Sequence, residues 1–391
     1  MLGSVRLLSR LSILLVLSAI LAGCGGGSSS GGGTQPPPPA EILYASGWSQ
    51  ITALSINTNT GALSPVAAEA EPNNTVGIVA TPSASFLYAS DKGNGIDGFT
   101  IGQNGTLSPI NGSPWPGPGN YYGGALSIDP AGKFVYAANA AGPPGYVAGF
   151  AVSAATGALT AMAGSPFPAG VAPFQPVVDR SGKFLYVTDY LDPQGGIYAF
   201  GINPSTGVLT SIAGSPFPTL PAAEPLGLVT DPSGKFLYAS LSAGYSIAAF
   251  TIDSTSGALT SVPGSPFPTG AGSGPGWFLD SITIDPSGKF FYALSSSGFS
   301  SVVSVFTIDS SSGALAPVNG SPFFAEPSGI SGGLVVELSG KFLYIAGGGA
   351  SYILPMSIDG TTGAVTALPG YALSVNNVPI FPTNLTVALV P

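Results

Sequence analysis

Short apolar runs, separated by turn residues, follow one another along most of the chain. In the stretch 235–240, Phe236 and Tyr238 point to one side of a strand and Leu237 to the other, so both faces are apolar. Apolar residues at helical spacing are nearly absent, whereas β-branched and aromatic runs alternate with Gly, Pro, Asn and Asp. The pattern predicts an all-β protein whose sheets are covered on both sides.

One stretch, Asp231-Pro-Ser-Gly-Lys-Phe-Leu-Tyr238, recurs along the chain in close or weaker copies. The Tyr that ends each copy stands at positions 44, 88, 136, 186, 238, 292 and 344, so the copies are 44 to 54 residues apart. A second signature, typically Thr/Ser-Gly-Ala-Leu, also occurs seven times. A third, Gly-Ser-Pro plus an aromatic residue, ends five middle units at Trp115, Phe167, Phe217, Phe267 and Phe323. Such a period is typical of repeat architectures.

Each unit divides into four strands. In residues 225–268 the strands are predicted at 226–230, 235–240, 246–253 and 258–262, and the Gly-Ser-Pro-Phe-Pro segment leaves the last one. Asp-Pro-Ser-Gly places Pro and Gly where a tight turn requires them. Seven units of four strands predict a seven-bladed β-propeller with four-stranded antiparallel blades.

The two ends of the repeat are complementary. The first unit lacks its first strand, and the final residues 385–391 match 226–232 in length and pattern. We therefore predict that the C-terminal strand joins the first blade and closes the ring, which leaves no open sheet edge. A repetitive fibre or a β-solenoid is the alternative architecture.

The N-terminus has the features of an export signal. Arg6 and Arg10 precede the apolar run 11–22, which is too short to span a bilayer. The run ends in Leu21-Ala22-Gly23-Cys24, which resembles the bacterial lipoprotein signal. We predict a signal peptide at 1–23, a lipidated Cys24 with a Gly/Ser/Pro-rich tether at 24–40, and the propeller at 41–391.

This N-terminal signal also predicts a location. Gly25 stands where an Asp would resemble an inner-membrane retention signal, so the prediction is the outer membrane or cell surface, facing the periplasm or the exterior. The membrane is then a partner through Cys24. An ordinary secretory signal with an incidental Cys is the alternative.

Composition excludes several classes of function. Only 7% of the residues are charged, the net charge is −9, and basic residues are too few for a phosphate-binding patch, so no nucleic-acid partner is predicted. The chain has no His, which excludes His general bases, His metal ligands and Ser-His-Asp triads. We expect a monomeric propeller.

Charged residues that keep their place in the repeat are predicted to be structural. The acids at 129, 179, 231, 285 and 337 begin the turn between strands one and two, and those at 253, 309 and 359 precede the turn between strands three and four. They are expected to cap these turns, and the Lys residues and Arg180 beside them to be solvated. Both kinds of turn lie on one face of the ring, called the turn face. The variable loops lie on the opposite entry face, where binding is usually placed.

The remaining polar residues are the candidates for a site. Three acids stand in Ala-Glu-Pro triplets, and three residues stand three positions after the repeated Tyr. The ligand-binding candidates are Glu71, Asp91, Asn139, Asp189, Glu224, Asp280 and Glu326.

Several roles are open to these candidates. They could bind Ca²⁺ or a polar ligand, or act as general acid and base. The alternative is that they are solvated loop residues; no catalytic residue, metal or other cofactor is assigned. Asp97 and Asp192 lie in nearby loops. The aromatic candidates for sugar stacking are Trp48, Trp115, Tyr121, Tyr122 and Trp277, although Trp115 fills the Phe position of the third signature and is expected to pack.

Over 41–391 the framework resembles a known family. The Gly-Lys-Phe-Leu-Tyr strand, the hairpin from Phe250-Thr-Ile-Asp253 to Leu259 and the seven-fold count are similar to the lactonase-type seven-bladed propellers, which are 6-phosphogluconolactonase-like or muconate-cycloisomerase-like. Surface propellers with YVTN-type repeats share the same strand. Enzymatic members often carry Pro-Arg-His-type residues just before strand one; the matching stretches here are Pro225-Leu-Gly227 and Pro173-Phe-Gln175.

Three hypotheses about function follow. The first is a lipid-anchored, cell-envelope propeller that binds a carbohydrate, lactone or protein ligand at the variable-loop face. The alternative, implied by the resemblance, is a hydrolase that opens a sugar-acid lactone with entry-face carboxylates. Phosphorylated substrates are less expected, because a phosphate site needs basic groups. A purely structural envelope protein is a third hypothesis.

Overall fold

The computed structural model describes residues 40–47, 50–70, 75–91, 93, 95–117, 123–140, 144–271, 277–297, 300–325, 332–347, 352–372, 374–375, 378–379 and 384–390. The folded unit spans 38–391. Among the described residues, helix is limited to one short 3₁₀ turn, Gln103–Gly105. In these described ranges no helix has the length and apolar character needed to cross a membrane.

The fold consists of short strands. Blades one to three contain β1 (Ala40–Ser46), β2 (Gln50–Ile56), β3 (Leu63–Ala70), β4 (Thr75–Ala80), β5 (Phe86–Asp91), β6 (Gly95–Ile101), β7 (Leu107–Pro109), β8 (Gly123–Ile128), β9 (Phe134–Asn139), β10 (Tyr146–Val152), β11 (Leu159–Ala161) and β12 (Phe167–Pro168). Blades four and five contain β13 (Pro173–Val178), β14 (Phe184–Asp189), β15 (Gly196–Ile202), β16 (Leu209–Ser211), β17 (Phe217–Pro218), β18 (Pro225–Thr230), β19 (Phe236–Leu241), β20 (Ser246–Ile252), β21 (Leu259–Ser261) and β22 (Phe267–Pro268). The remainder are β23 (Phe278–Ile284), β24 (Phe290–Ser296), β25 (Ser301–Ile308), β26 (Leu315–Pro317), β27 (Phe323–Phe324), β28 (Leu334–Val336), β29 (Phe342–Ala346), β30 (Tyr352–Ile358), β31 (Val365–Ala367), β32 (Tyr371–Ala372), β33 (Ser374–Val375), β34 (Val378–Pro379) and β35 (Asn384–Val390).

The predicted seven-bladed β-propeller is confirmed. Blades two to seven are antiparallel sheets whose strands follow chain order, from β4-β5-β6-β7 in blade two to β28-β29-β30-β31 in blade seven, and blade one has the order β35-β1-β2-β3. Buried apolar side chains form clusters shared by neighbouring blades; one joins Phe184 and Tyr186 of blade four to Leu237 and Phe250 of blade five. The core is thus divided among the blade interfaces, which explains why the strands are apolar on both faces.

The two main repeat signatures form one interaction. The hydroxyl of Tyr238 donates to the carbonyl of Gly313 in the next blade over 2.9 Å, and Tyr344 of blade seven donates to Gly61 of blade one over 3.0 Å. Equivalent bonds are made by Tyr44, Tyr88, Tyr136 and Tyr186. These Gly residues have φ of +71° to +81°, and a Cβ at Gly313 would lie 2.4 Å from the Phe236 ring, so only Gly suits the position.

The repeat-locked acids cap turns, as predicted. Asp231 Oδ1 accepts hydrogen bonds from the backbone N–H groups of Lys235 and Phe236 at 2.8 and 2.7 Å. Asp253 accepts from Thr255 and Ser256 in the turn between strands three and four. The Lys residues beside these turns and Arg180 are exposed, as expected.

The Gly-Ser-Pro-aromatic segment is part of the blade and contacts its third strand. The outer strand of blades three to seven is split in two; in blade five β21 pairs with one end of β20, and β22 pairs with the other. At the break, the Ser265 hydroxyl accepts a hydrogen bond from the N–H of Ala249 at 2.9 Å. Ser113, Ser165, Ser215 and Ser321 do the same. The Ser therefore satisfies a strand-three donor where the neighbouring strand is interrupted.

The C-terminal strand closes the ring. β35 pairs with β1 over seven residue pairs, from Ala40 opposite Val390 to Ser46 opposite Asn384. Thr386 lies opposite Tyr44 as Val229 lies opposite Tyr238. The predicted closure is confirmed, but the register differs by two residues from the predicted match of 385–391 to 226–232.

A buried pair of carboxyl groups lies at the closure between blades seven and one. Glu41 occupies the repeat position of Lys235, and its Oε1 accepts a hydrogen bond from the N–H of Leu338 at 2.7 Å. Glu337, the turn cap of blade seven, is fully buried, and Glu41 is 6% exposed. Burial raises the pKa of Glu41, the nearby Glu337 carboxyl raises it further, and the Leu338 hydrogen bond opposes the shift.

Glu41→Gln is expected to raise the melting temperature at pH 8, with a smaller gain towards pH 4. A raised pKa means that the folded chain holds the proton more tightly than the unfolded chain. The stabilising contribution of protonated Glu41 is complete below its unfolded pKa and is lost as pH rises through the folded pKa. Gln keeps an acceptor for Leu338 without the charge. Thermal unfolding across pH is the measurement, and exposed Glu224→Gln is the control; a lower melting temperature for Glu41→Gln at pH 8 would contradict the argument.

Candidate active site

A cavity of about 580 Å³ lies where the first strands of the seven blades meet. All seven contribute to its wall. The lining residues are Thr75, Val76, Gly77, Ile78, Ala125, Leu126, Phe174, Gln175, Gly227, Leu228, Asp280, Ser281, Ile282, Gly332, Gly333, Leu334, Asn384 and Leu385. Its size is that of a small-molecule site.

The inner level of the cavity is apolar. In every blade, the first-strand residue opposite the position after the repeated Tyr is apolar. These residues are Ile78, Leu126, Pro176, Leu228, Ile282, Leu334 and Leu385. All except Pro176 line the cavity. This level forms an apolar floor beneath the polar residues nearer the entry face.

A β-bulge precedes the floor residue in blades two to six. In blade six the register shifts between Leu279 and Ser281, so Asp280 is the extra residue of β23. A bulge leaves a residue outside the ladder and re-aims its side chain. The positions that correspond to Asp280 in blades two to five and seven are Val76, Gly124, Phe174, Leu226 and Gly332. Asp280 is thus the one ionisable residue at this level in the described part of the ring.

Asp280 has an environment that favours the protonated acid. Ser296, the last residue of β24, donates hydrogen bonds to the carboxyl from its N–H and its hydroxyl. Asp280 Oδ2 is buried and has no hydrogen-bond partner among the described residues. Burial raises the pKa of Asp280 to about 7, and the Ser296 hydrogen bonds reduce the shift. The group therefore exchanges a proton near neutral pH, as a general acid or base must.

Two side-chain amides share the cavity with Asp280. Gln175 Nε2 in blade four donates to the carbonyl of Pro176 at 3.1 Å, and Asn384 Nδ2 in blade one donates to the carbonyl of Val76 at 2.6 Å. These bonds hold both amides against the wall. A primary amide has two N–H donors, so Gln175 retains one for a ligand.

Three other candidates are buried at the ends of second strands. Asp189 is fully buried and accepts N–H bonds from Val171 at 2.6 Å and Ala172 at 2.9 Å, which fixes the loop that enters blade four. Asn139 is also fully buried and donates to the Tyr146 hydroxyl. Asp91 is 1% exposed. None of the three lines the cavity.

The entry-loop candidates have different positions. Glu224 is exposed, with a left-handed φ of +50°. Glu71 and Glu326, like Cys24, lie outside the described residues.

The other acids and the aromatic residues have mostly local contacts. Asp97 is buried; burial and then the charge of Asp91 raise its pKa to about 6. Asp192 accepts from the N–H of Gln194 at 2.9 Å. Trp115 bridges to Ile96 and lies 6.5 Å from the Tyr88 ring, so it packs in its blade as expected.

Trp277, partly buried, directly precedes β23. The other stacking candidates, Trp48, Tyr121 and Tyr122, fall outside the described ranges. Within those ranges, no group of three or more Asp, Glu or Cys residues is arranged to hold a metal ion. Among the candidate residues, Asp280 therefore has the position and environment best suited to a functional role.

Sequence comparison supports the family resemblance. The family described as "Lactonase, 7-bladed beta-propeller" matches residues 175–273, which begin at Gln175 in the cavity wall. The chain is a seven-bladed β-propeller, and this part of it is similar to the lactonase family. No curated protein matches this propeller.

Several solved structures share this propeller fold. A protein assigned as a 6-phosphogluconolactonase from Bacteroides fragilis is 21% identical, with a TM-score of 0.73, and the match covers 89% of this chain and 98% of that one. One with the same assignment from Bacteroides uniformis is 19% identical, with a TM-score of 0.75 and coverage of 90% and 100%. The periplasmic gluconolactonase of Pseudomonas aeruginosa is 18% identical, with a TM-score of 0.73 and coverage of 90% and 100%.

Two residues of the cavity, Gln175 and Asn384, cannot be identified from the repeat pattern. Gln175 stands out only within Pro173-Phe-Gln175, and Asn384 shares no repeat position with the candidate residues. The signal that identifies both is register: Gln175 and Asn384 immediately precede the floor residues Pro176 and Leu385 of their blades.

Proposed function

We propose that this lactonase-type propeller hydrolyses a lactone and that Asp280 is its general base. The observation that carries the proposal is a carboxyl group with a pKa of about 7 in the central cavity, with one buried oxygen that has no hydrogen-bond partner among the described residues. A base with such a pKa is half ionised near neutral pH and returns the proton readily.

The reaction needs one carboxylate and one water molecule. Asp280 takes a proton from water while the water oxygen bonds to the lactone carbonyl carbon. The tetrahedral intermediate carries negative charge on the former carbonyl oxygen, and in this proposal the Gln175 amide, a neutral donor in the described wall, stabilises that charge. The ring C–O bond then breaks, and the Asp280 carboxyl protonates the departing alkoxide. Lactone and water give one hydroxy acid, and the base is regenerated.

The comparisons support this reaction class. The neighbours include two proteins assigned as 6-phosphogluconolactonases and a gluconolactonase. A sugar-acid lactone is the substrate class that their names suggest. In this chain the Pro-Arg-His positions are Pro225-Leu-Gly227 and Pro173-Phe-Gln175, and the second of these contributes Phe174 and Gln175 to the cavity. Asp280 occupies the corresponding level in blade six.

The proton release that accompanies hydrolysis tests the proposal. With D-glucono-1,5-lactone and δ-valerolactone as probes, kcat/KM is expected to rise tenfold per pH unit below pH 7 and to level off above it, because only ionised Asp280 accepts the proton. Initial rates between pH 5 and 8 are measured by titration and corrected for spontaneous hydrolysis. The absence of turnover, or a rate independent of pH over this range, would refute the proposed base.

A second function is ligand binding without turnover at the entry face. The observation that favours it is the absence of Arg and His from the two stretches that correspond to Pro-Arg-His in enzymatic relatives. Under this hypothesis the cavity binds a lactone or carbohydrate and Asp280 accepts a ligand hydroxyl. Saturable binding of D-glucono-1,5-lactone by calorimetry, with no proton release, would distinguish it from hydrolysis.

We also propose that the protein is anchored in the bacterial envelope through lipidated Cys24. The support is the Leu21-Ala22-Gly23-Cys24 sequence, followed by a Gly/Ser/Pro-rich tether. In cells that express the full chain, incorporation of labelled palmitate is expected and should be lost in Cys24→Ser. Equal labelling of the two proteins would rule out this anchor.

A further inference from the structure

We infer that the substrate is an uncharged lactone with an apolar alkyl or acyl substituent, held by an apolar arc on the entry face. This inference rests on the proposed function. The arc consists of Val171, Leu191, Leu220 and Phe278, which are 39%, 54%, 41% and 57% exposed. They belong to loops of blades four and five and to the start of β23 in blade six.

Two loops of the arc are fixed to one buried carboxylate. Asp189 Oδ2 accepts from the N–H of Val171 at 2.6 Å, and Asp189 Oδ1 accepts from the N–H of Leu191 at 3.2 Å. The loop of Leu220 joins the same region, because the preceding Thr219 donates from its N–H to the carbonyl of Gly195 at 3.0 Å. The entry loops of blades four and five and the second-to-third-strand loop of blade four are thereby held together.

The arc is continuous with the cavity. Leu191 follows Tyr190, whose ring packs edge-on against Phe174 at 6.0 Å, and Phe174 lines the cavity. On blade six, Phe278 begins β23 two residues before Asp280. A lactone ring beside Asp280 would therefore extend a substituent over Phe174 or Phe278 and then over the aliphatic side chains.

The charges of the described residues disfavour an anionic substituent. The described cavity lining includes Asp280 and no Lys or Arg. Five Lys residues and Arg180 lie beside turns on the opposite face, at Lys133, Lys183, Lys235, Lys289 and Lys341. A phosphate at the entry face would thus be near a carboxylate and far from these cations, whereas an alkyl chain would cover exposed apolar surface. Each methylene buried there improves binding about threefold to fourfold.

The test compares lactones that differ only in their tails. With the full chain, kcat/KM is expected to rise from δ-valerolactone to δ-octalactone to δ-decalactone by about threefold to fourfold per covered methylene, and to be lowest for 6-phosphoglucono-1,5-lactone. Leu191→Ser and Phe278→Ser should each flatten this series. Phe324→Ser is the matched control, because Phe324 is 69% exposed but lies in β27 on the outer side of blade six.

Binding of the corresponding lactams separates the two proposals, since they resist hydrolysis. If the lactam analogue of δ-decalactone binds more tightly than δ-valerolactam, and Leu191→Ser weakens that binding, then the arc binds the tail even if no lactone is hydrolysed. Efficient lactone turnover with no dependence on tail length, or with a preference for the phosphorylated lactone, overturns the arc and leaves Asp280 as the base. Equal binding of all lactams also overturns it. Loss of liposome binding in Phe278→Ser, with the tail-length series unchanged, would assign the arc to a membrane and refute the inference.

Discussion

Asp280→Asn is expected to lower kcat/KM for lactone hydrolysis by about 10²–10⁴-fold, the usual contribution of a general base. Asn is close to Asp in shape and can still accept the hydrogen bonds from Ser296, but it cannot take a proton from water. The loss should therefore fall on the chemical step, with binding of a lactam changed little. Steady-state kinetics and lactam binding are the two measurements.

Asp280→Asn is also expected to change the stability of the folded protein. The folded-state pKa of Asp280 is about 7, against an ordinary value of 3.8. The folded chain thus holds the proton more tightly than the unfolded chain, and stability falls as pH rises from 4 through 7. At pH 8, Asp280→Asn should increase the free energy of unfolding, on the order of 2–4 kcal/mol, after allowance for the partial exposure of Asp280. The gain should shrink towards pH 4.

A control substitution on the turn face makes the same change from Asp to Asn at a position far from the cavity. Asp253→Asn alters an exposed turn cap on the turn face and should leave lactone turnover unchanged. If Asp280→Asn retained wild-type kcat/KM, the assignment of the base would be wrong. If it also lost stability at pH 8, the raised pKa itself would be wrong.

The gain in stability, with the loss of activity, would be characteristic of a functional group held in an unfavourable environment. At the position that corresponds to Asp280, the other described blades carry Val76, Gly124, Phe174, Leu226 and Gly332. A repeat protein that needed only a stable blade would place an apolar or small residue there. The departure from the repeat is thus the observation that connects Asp280 to function.

The blades could be predicted from the sequence because their determinants are local and repeated. The Asp231 turn, the Tyr238 strand and the Gly257 turn each stand at a near-constant distance from one another, so alignment of the copies places all three. The hydrogen bonds confirm these roles, from the capping of the turn by Asp231 to the link from Tyr186 to Gly257.

The site was less predictable because it depends on contacts between units. Asp91, Asn139 and Asp189 share one repeat position, and this common spacing suggested a ring of ligands. In the structure, Asp189 binds the loop at Val171, and Asn139 binds Tyr146. Spacing could not reveal these partners, because the loops that supply them differ in length between blades.

The position of the Asp280 side chain in the cavity depends on a β-bulge that the sequence pattern does not show. One extra residue in β23 moves the side chain out of strict alternation, and the shift is visible only when Leu279 and Ser281 are paired with β24. Gln175 and Asn384 were missed for a related reason. They come from blades four and one, so their proximity to Asp280 requires closure of the ring in three dimensions.

Deletion of residues 384–391 is expected to abolish cooperative folding of the propeller at 37 °C. β35 forms seven residue pairs with β1, and its Ala388 and Val390 belong to the core shared by blades one and two. Leu385 and Val387 pack against the core between blades one and seven. Burial of each large apolar side chain contributes about 1.5–3 kcal/mol, so the strand accounts for an amount comparable to the whole stability of about 5–15 kcal/mol.

The deletion would also leave β1 with an unpaired edge, so aggregation is expected together with loss of the native melting transition. A synthetic peptide of residues 384–391, added during refolding, should restore the transition because it can pair with β1 in the same register. Leu389→Ala is the matched control within the strand, since Leu389 is 52% exposed and should cost little, whereas Val390→Asp, at a position 1% exposed, should resemble the deletion. An unchanged melting temperature after the deletion would show that the first blade is stable with three strands, and ring closure would then have another source.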